Sequence, residues 1–198
     1  RQMCIRDRSK NNALSPKIRE FIYIAIDAST THLYLPGLKL HMENALALGA
    51  TRDEIMEVLE LTSVLGIHTC TMGVPILMDE LRKMGRGDEV DNIEYGDHEK
   101  ALKESFIKNR GYWSPFWDDM LKLSPEFFEC YLDFSSVPWK SGTLEPKVKE
   151  FIYIAIDTAT THLHEEGARI HIRNALNYGA TKEEIMEVYQ LVSILGMH

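Results

Sequence analysis

Residues 16–68 read PKIREFIYIAIDASTTHLYLPGLKLHMENALALGATRDEIMEVLELTSVLGIH, and residues 146–198 read PKVKEFIYIAIDTATTHLHEEGARIHIRNALNYGATKEEIMEVYQLVSILGMH. At a constant offset of 130 the two stretches agree at 32 of 53 positions. The chain is a tandem duplication, and each copy serves as a comparison for the other. A polar residue held in both copies while its neighbours drift needs a physical reason. Three histidines per copy are held: His32, His41 and His68 in the first, and His162, His171 and His198 in the second.

Each copy reads as three helical pieces. The first opens at Ser15-Pro16 or Glu145-Pro146, with proline in the first turn, where a missing amide donor costs nothing. Its run FIYIAIDA is rich in β-branched residues and has the composition of a buried strand. Glu20, Tyr23, Asp27 and Thr30/Thr31 nevertheless fall on one helical stripe, which Glu150, Tyr153, Asp157 and Thr160/Thr161 repeat. A two-residue alternation would scatter these groups over both faces, so the run is predicted helical. The stripe is either the wet side of a surface helix or a packing contact that both copies share. The second piece runs from about Gly37 to Leu48 and ends at Gly49, or at Gly179 in copy two, each suited to a left-handed cap. The third opens with Thr51…Glu54 and Thr181…Glu184, a hydroxyl and a glutamate at capping-box spacing. Ile55, Val58, Leu59, Thr62 and Leu65 form its apolar stripe and Gly66 closes it, while Glu57 and Glu187 read as solvated.

Between the copies, GRGDEVDNIEYGD (85–97) reads as an exposed loop or linker. Trp113, Phe116, Trp117, Phe127, Phe128, Tyr131 and Trp139 follow, and are expected to be core that packs the copies together. The domain expectation is a tail over 1–12, a first repeat over 13–85, a linker over 86–99, and a second repeat with its preceding aromatic helices over 100–198. The opening RQMCIRDRS has no apolar periodicity and no match in copy two, so it is expected outside the fold. The first copy continues past His68 and the second stops at His198, so the parent chain is expected to run further.

A hydrophobic fraction of 44% supplies a core, and the net charge of −8 leaves no basic patch for a phosphate backbone. No apolar run approaches the roughly 20 residues that span a bilayer, and no leader peptide is evident. Cys4, Cys70 and Cys130, with no C-x-x-C pair, fit a reducing compartment. The expectation is a cytoplasmic protein with neither nucleic-acid nor membrane partner.

His41 lies among Leu38, Met42, Ala45 and Leu46, and His171 among Ala168, Ile172, Ala175 and Leu176, each on an apolar helix face. A histidine so placed is ordinarily core. The drift of its neighbours and the retention of all three histidine pairs favour a functional cluster. The Glu-led apolar helix followed by H-x3-A-L-x2-G-A-T-x-x-E-I-x-E-V resembles the carboxymuconolactone decarboxylase family and its alkylhydroperoxidase D-like relatives. The resemblance implies an all-α, duplicated alkylhydroperoxidase D-like helical repeat with pseudo-two-fold symmetry. It also implies a homo-oligomer, such as a trimer of tandem chains. Peroxidase relatives carry C-x-x-C-x-x-x-H. Counted back from the helix histidines, the cysteine places here are Tyr34 and Gly37, and His164 and Gly167. A thiol-cycled peroxide reduction therefore has no nucleophile.

The cysteine-free branch is similar to the decarboxylases, which use no cofactor. There the family glutamate corresponds to Glu20 and Glu150 and the helix histidine to His41 and His171. Their separation is two residues longer here, because the Thr-Thr-His-Leu turn is expanded. The implied function is a cofactor-independent decarboxylase or related lyase acting on a small carboxylated ring or lactone from aromatic-compound breakdown. Asp27, Asp157, Tyr34 and His164 are candidate substrate contacts, and Asp27 beside a histidine would fix its tautomer. Two alternatives stay open. One is a metal-dependent oxidoreductase or hydrolase with a divalent ion held by His32, His41 and His68, or by His162, His171 and His198. The other is a non-enzymatic helical scaffold whose histidines are packed against apolar atoms.

Overall fold

A computed structural model describes residues 12–194. His198, Cys4 and the tail over residues 1–11 lie outside the described residues. Regular structure among the described residues is helical throughout. The first copy supplies α1 (Pro16–Ala28), α2 (Leu35–Ala47) and α3 (Arg52–Ser63), followed by a 3-10 turn at Val64–Ile67. Next come α4 (His68–Lys83), α5 (Asp88–Asp91), α6 (Asp97–Arg110), α7 (Phe116–Leu123) and α8 (Pro125–Ser141). The second copy supplies α9 (Pro146–Thr158), α10 (Glu165–Asn177) and α11 (Lys182–Val192). Two compact units result: both copies' helices in one, and residues 64–142 in the other.

In the first unit α1 and α9 pack together, each also against its own second helix and against both α3 and α11. A helix enclosed this way is apolar nearly all round, which is why FIYIAIDA looks strand-like in composition. Phe21, Ile22, Ile24, Ala25 and Ile26 are all buried, and Glu20 and Asp27 are buried with them. The stripe is thus an internal seam over Glu20 to Asp27 and Glu150 to Asp157, and reaches solvent at Thr30/Thr31 and Thr160/Thr161. Ser15 caps α1 by accepting the Ile18 amide at 3.3 Å. Both capping boxes form: Thr51 Oγ1 accepts the Glu54 amide and Thr181 Oγ1 the Glu184 amide, at 3.1 Å each, and the glutamates reciprocate at 2.8 Å.

Glu57 and Glu187 depart from expectation, for they are 2% and 5% exposed rather than solvated. Glu57 accepts the Thr143 and Leu144 amides at 2.6 and 2.9 Å and pairs with Lys149 at 2.8 Å. Glu187 accepts the Leu14 amide at 2.9 Å and pairs with Arg19 at 2.6 Å. Each copy's third helix therefore holds the chain entering the other copy's first helix. Amphipathic reading misses this, because the compensating cation and amides come from a distant part of the sequence.

In the second unit the aromatic rings form a core of their own. Phe106, Trp117 and Phe128 pack with Leu102, Met120, Leu121 and Leu132, and Trp113 meets Phe106 edge-on at 5.4 Å. Phe127, expected as core with them, is instead 51% exposed. Residues 85–97 hold the short α5 and the start of α6. The run Arg52–Lys83 is long and apolar enough to cross a membrane by length and composition, which the sequence reading overlooked. Val58, Leu61, Val64, Leu65 and Ile67 within it are buried protein core.

Candidate active site

The turn after each first helix sets the site. The amides of His32 and Leu33 both bond the Ser29 carbonyl, at 2.9 and 2.8 Å, and the Tyr34 amide returns to the Asp27 carbonyl at 2.9 Å. Copy two repeats this through His162, Leu163 and His164. Reversal at that point puts Leu33 (φ 50°) and Leu163 (φ 56°) in the left-handed region, a strained conformation for a leucine. The second helix of each copy then lies beside the seam of the first.

Across that contact His41 Nδ1 meets Glu20 Oε2 at 2.6 Å, and His171 Nδ1 meets Glu150 Oε2 at 2.6 Å. An ionised carboxylate only accepts, so Nδ1 donates and proton exchange with a ligand falls to Nε2. That nitrogen lies 4.0 Å from Asp27 in copy one and 3.9 Å from Asp157 in copy two. His32 Nε2 approaches Asp27 at 3.6 Å, so two of the first copy's three histidines flank one carboxylate. His162 stacks on His164 with ring centroids 5.8 Å apart. His68 opens α4 in the other unit and is half-buried.

Three neighbours were not singled out from sequence as site residues. Tyr23 and Tyr153 stack on His41 and His171, each at 4.4 Å. Asn44 and Asn174 donate to Glu20 and Glu150 at 3.3 and 3.2 Å. Gly37 and Gly167 admit the aspartates: a Cβ there would sit 2.2 Å from Asp27 Oδ2 or 2.3 Å from Asp157 Oδ2. All three pairs are identical between copies, which was the available signal.

Burial dominates the electrostatics of the second site. It raises the Asp157 carboxyl to about 7, with the Glu150 charge adding to the rise and His171 opposing it. Burial also pushes the His164 imidazole down to about 4, assisted by His162 and His171, and it lowers His162 as well. A buried acid that exchanges its proton near neutrality thus lies beside an imidazole whose free nitrogen is Nε2. Such a set can donate and recover protons without a thiol.

The carboxymuconolactone decarboxylase family profile matches residues 2–66 and 125–196, one segment per copy and together well over half the chain. The chain belongs to that family. A carboxymuconolactone decarboxylase-like fold is also what structural comparison returns. A crystal structure from Burkholderia xenovorans LB400, provisionally named a gamma-carboxymuconolactone decarboxylase subunit, superposes with a TM-score of 0.91 at 50% identity. The match covers 94% of this chain and 74% of that one. Comparison with curated proteins returned no match. Within this family member the places of the peroxidase thiols carry Tyr34 and Gly37, and His164 and Gly167. The aspartate oxygens stand where a side chain on either glycine would begin.

Proposed function

We propose that the chain is a cofactor-independent decarboxylase or related lyase acting on a small carboxylated ring or lactone, with His41 and His171 as general acid/base. The observation that carries this reading is the 2.6 Å Glu–His pair in both copies, which commits Nδ1 and leaves Nε2 for chemistry. Loss of carbon dioxide breaks the carbon–carboxylate bond and leaves the electron pair on carbon as an enolate-like anion. The imidazolium delivers its Nε2 proton to that carbon, and solvent restores it. Glu20 and Glu150 orient the ring and balance its positive charge. Asp27, Asp157, Tyr34 and His164 contact the substrate. His32 and His162 extend the same polar cluster, while for His68 and His198 the assignment rests on sequence alone.

The test is carbon dioxide release from a panel of carboxylated lactones and rings. His41→Ala with His171→Ala is expected to lower turnover by roughly 10²–10⁴-fold. Unchanged turnover of an established substrate would sink the assignment. Assembly as a homo-oligomer, a trimer of tandem chains, and a cytoplasmic location belong to the same proposal.

A second reading has one observation in its favour: His32 and His41 each approach a different oxygen of Asp27, at 3.6 and 4.0 Å, and imidazole with carboxylate is the ligand chemistry of zinc or non-haem iron. There the ion would supply Lewis acidity. Elemental analysis of active protein separates the two, since full activity without metal excludes this one. The scaffold reading expects imidazoles packed against apolar atoms, whereas both helix histidines meet carboxylates.

A further inference from the structure

Among the positions where the two copies differ, the one that precedes each second helix, Tyr34 against His164, borders the site. Tyr34 precedes α2 and makes no side-chain cap, whereas His164 precedes α10 and its Nδ1 accepts the Gly167 amide at 3.0 Å. A ring nitrogen that accepts from an N–H carries a lone pair, so the proton of the neutral ring is on Nε2. The Gly167 contact that allows this is tight: a Cβ on Gly167 would meet His164 Nδ1 at 2.5 Å and Asp157 Oδ2 at 2.3 Å. Glycine there brings the amide, the imidazole and the buried aspartate together. His171, paired to Glu150, reaches the same aspartate at 3.9 Å.

We infer that His164 is a neutral Nε2–H donor that stabilises the developing enolate oxygen of a carboxylated substrate in the second copy. This rests on the decarboxylase reading for the charge that forms, but not for the tautomer. A neutral imidazole held at a helix N-terminus is suited to the task, because a donor that never ionises polarises an oxygen without surrendering its proton. The Gly167 amide hydrogen directed at Nδ1 leaves that nitrogen no room for a proton, so the ring that makes this contact is neutral. The Asp157 and Glu150 carboxyls also border the cluster. His171 Nε2 then supplies the proton to carbon while His164 Nε2 holds the oxygen, so acid and donor are separate groups. The first copy presents a phenol in place of the imidazole, and the two sites are unequal in strength.

Nitrogen-15 NMR of the full chain, with His164 assigned by comparison with His164→Phe, tests the tautomer without any substrate. The expected result is a neutral ring from pH 5 to 8 with its proton on Nε2. A protonated Nδ1, or an imidazolium forming within that range, overturns the proposal. The second arm titrates salicylate, a carboxylated ring with an oxygen beside the carboxylate, against benzoate, which lacks that oxygen. Salicylate is expected to shift the His164 Nε2 resonance and benzoate to shift it far less; equal shifts count against the role. On an established substrate, His164→Phe should lower second-copy kcat at least tenfold with KM nearly unchanged, measured in the His41→Ala background. His164→Tyr, which installs the first copy's residue, should recover part of that loss. Should His164→Phe fold poorly by circular dichroism, His164→Tyr supplies the NMR assignment, and the tautomer it reveals decides.

Discussion

Lys149 Nζ lies 2.8 Å from Glu57 Oε1, and both side chains are almost wholly buried although 92 residues separate them in sequence. Removing one partner strands the other charge away from water. Glu57→Ala also strands the Thr143 and Leu144 amides, so it is expected to cost about 3–5 kcal/mol in urea unfolding. Replacing both partners, Glu57→Leu with Lys149→Met, should recover a substantial part of that loss. A double variant no better than Glu57→Ala would show that the amide bonds, and not the charge pair, dominate.

Glu20 and Glu150 fix the ring orientation of the helix histidines. Glu20→Gln with Glu150→Gln keeps the side-chain shape but removes the charge opposite an imidazolium. The expected outcome is a loss in kcat of about 10–10²-fold, with the pH at which activity appears moving down. A pH profile of kcat identical to that of the parent protein would remove the glutamates from the mechanism.

Asp157 gives stability a pH signature. Its folded proton affinity is raised to about 7 from 3.8, so the fold binds a proton that the unfolded chain releases. Its contribution is present at low pH and declines as pH rises from about 4 to about 7. Asp157→Asn removes the decline. The variant should gain stability relative to the parent between pH 5 and pH 8, by up to a few kcal/mol. His164 has the opposite sign: with its affinity lowered to about 4, its contribution holds above pH 6.5 and is lost as pH falls toward 4. Parallel denaturation curves at the two pH values check both.

Gly37 and Gly167 tolerate no side chain without moving an aspartate. Gly167→Ala is expected to displace Asp157 and the His164 ring and to destabilise by roughly 1–3 kcal/mol. Gly179→Ala, at φ 82° with nothing near its Cβ, should cost a similar amount by backbone strain alone while leaving kcat intact. Equal loss of kcat in both would mean that the first effect is not local to the site.

Most helix boundaries were legible because Ser15-Pro16, Gly49 and both capping boxes have local causes; Gly66 was misread, since the third helix passes through a 3-10 turn at Val64–Ile67 into the next helix instead of closing there. The Glu–His pair was legible through the family resemblance; helical spacing put Glu20 and Asp27 on one stripe but left open whether that stripe was wet or packed. Glu57 and Glu187 were misjudged because their partners, Lys149 and Arg19, arrive from the other copy, and no local pattern encodes that. Tyr23 and Asn44 were overlooked for a related reason, since stacking on His41 and bonding to Glu20 depend on how α1 and α2 cross. The aromatic cluster was legible as core from composition, but not the exposure of Phe127, because composition does not say which face of a helix a ring occupies.

The reciprocal grip of Glu187 on Leu14 and of Glu57 on Leu144 gives this architecture the logic of two subunits that exchanged their leading arms and were then fused. Excising either half would remove the carboxylate that holds its own entrance. That mutual dependence holds the frame in common while individual positions, Tyr34 against His164 among them, differ between the halves.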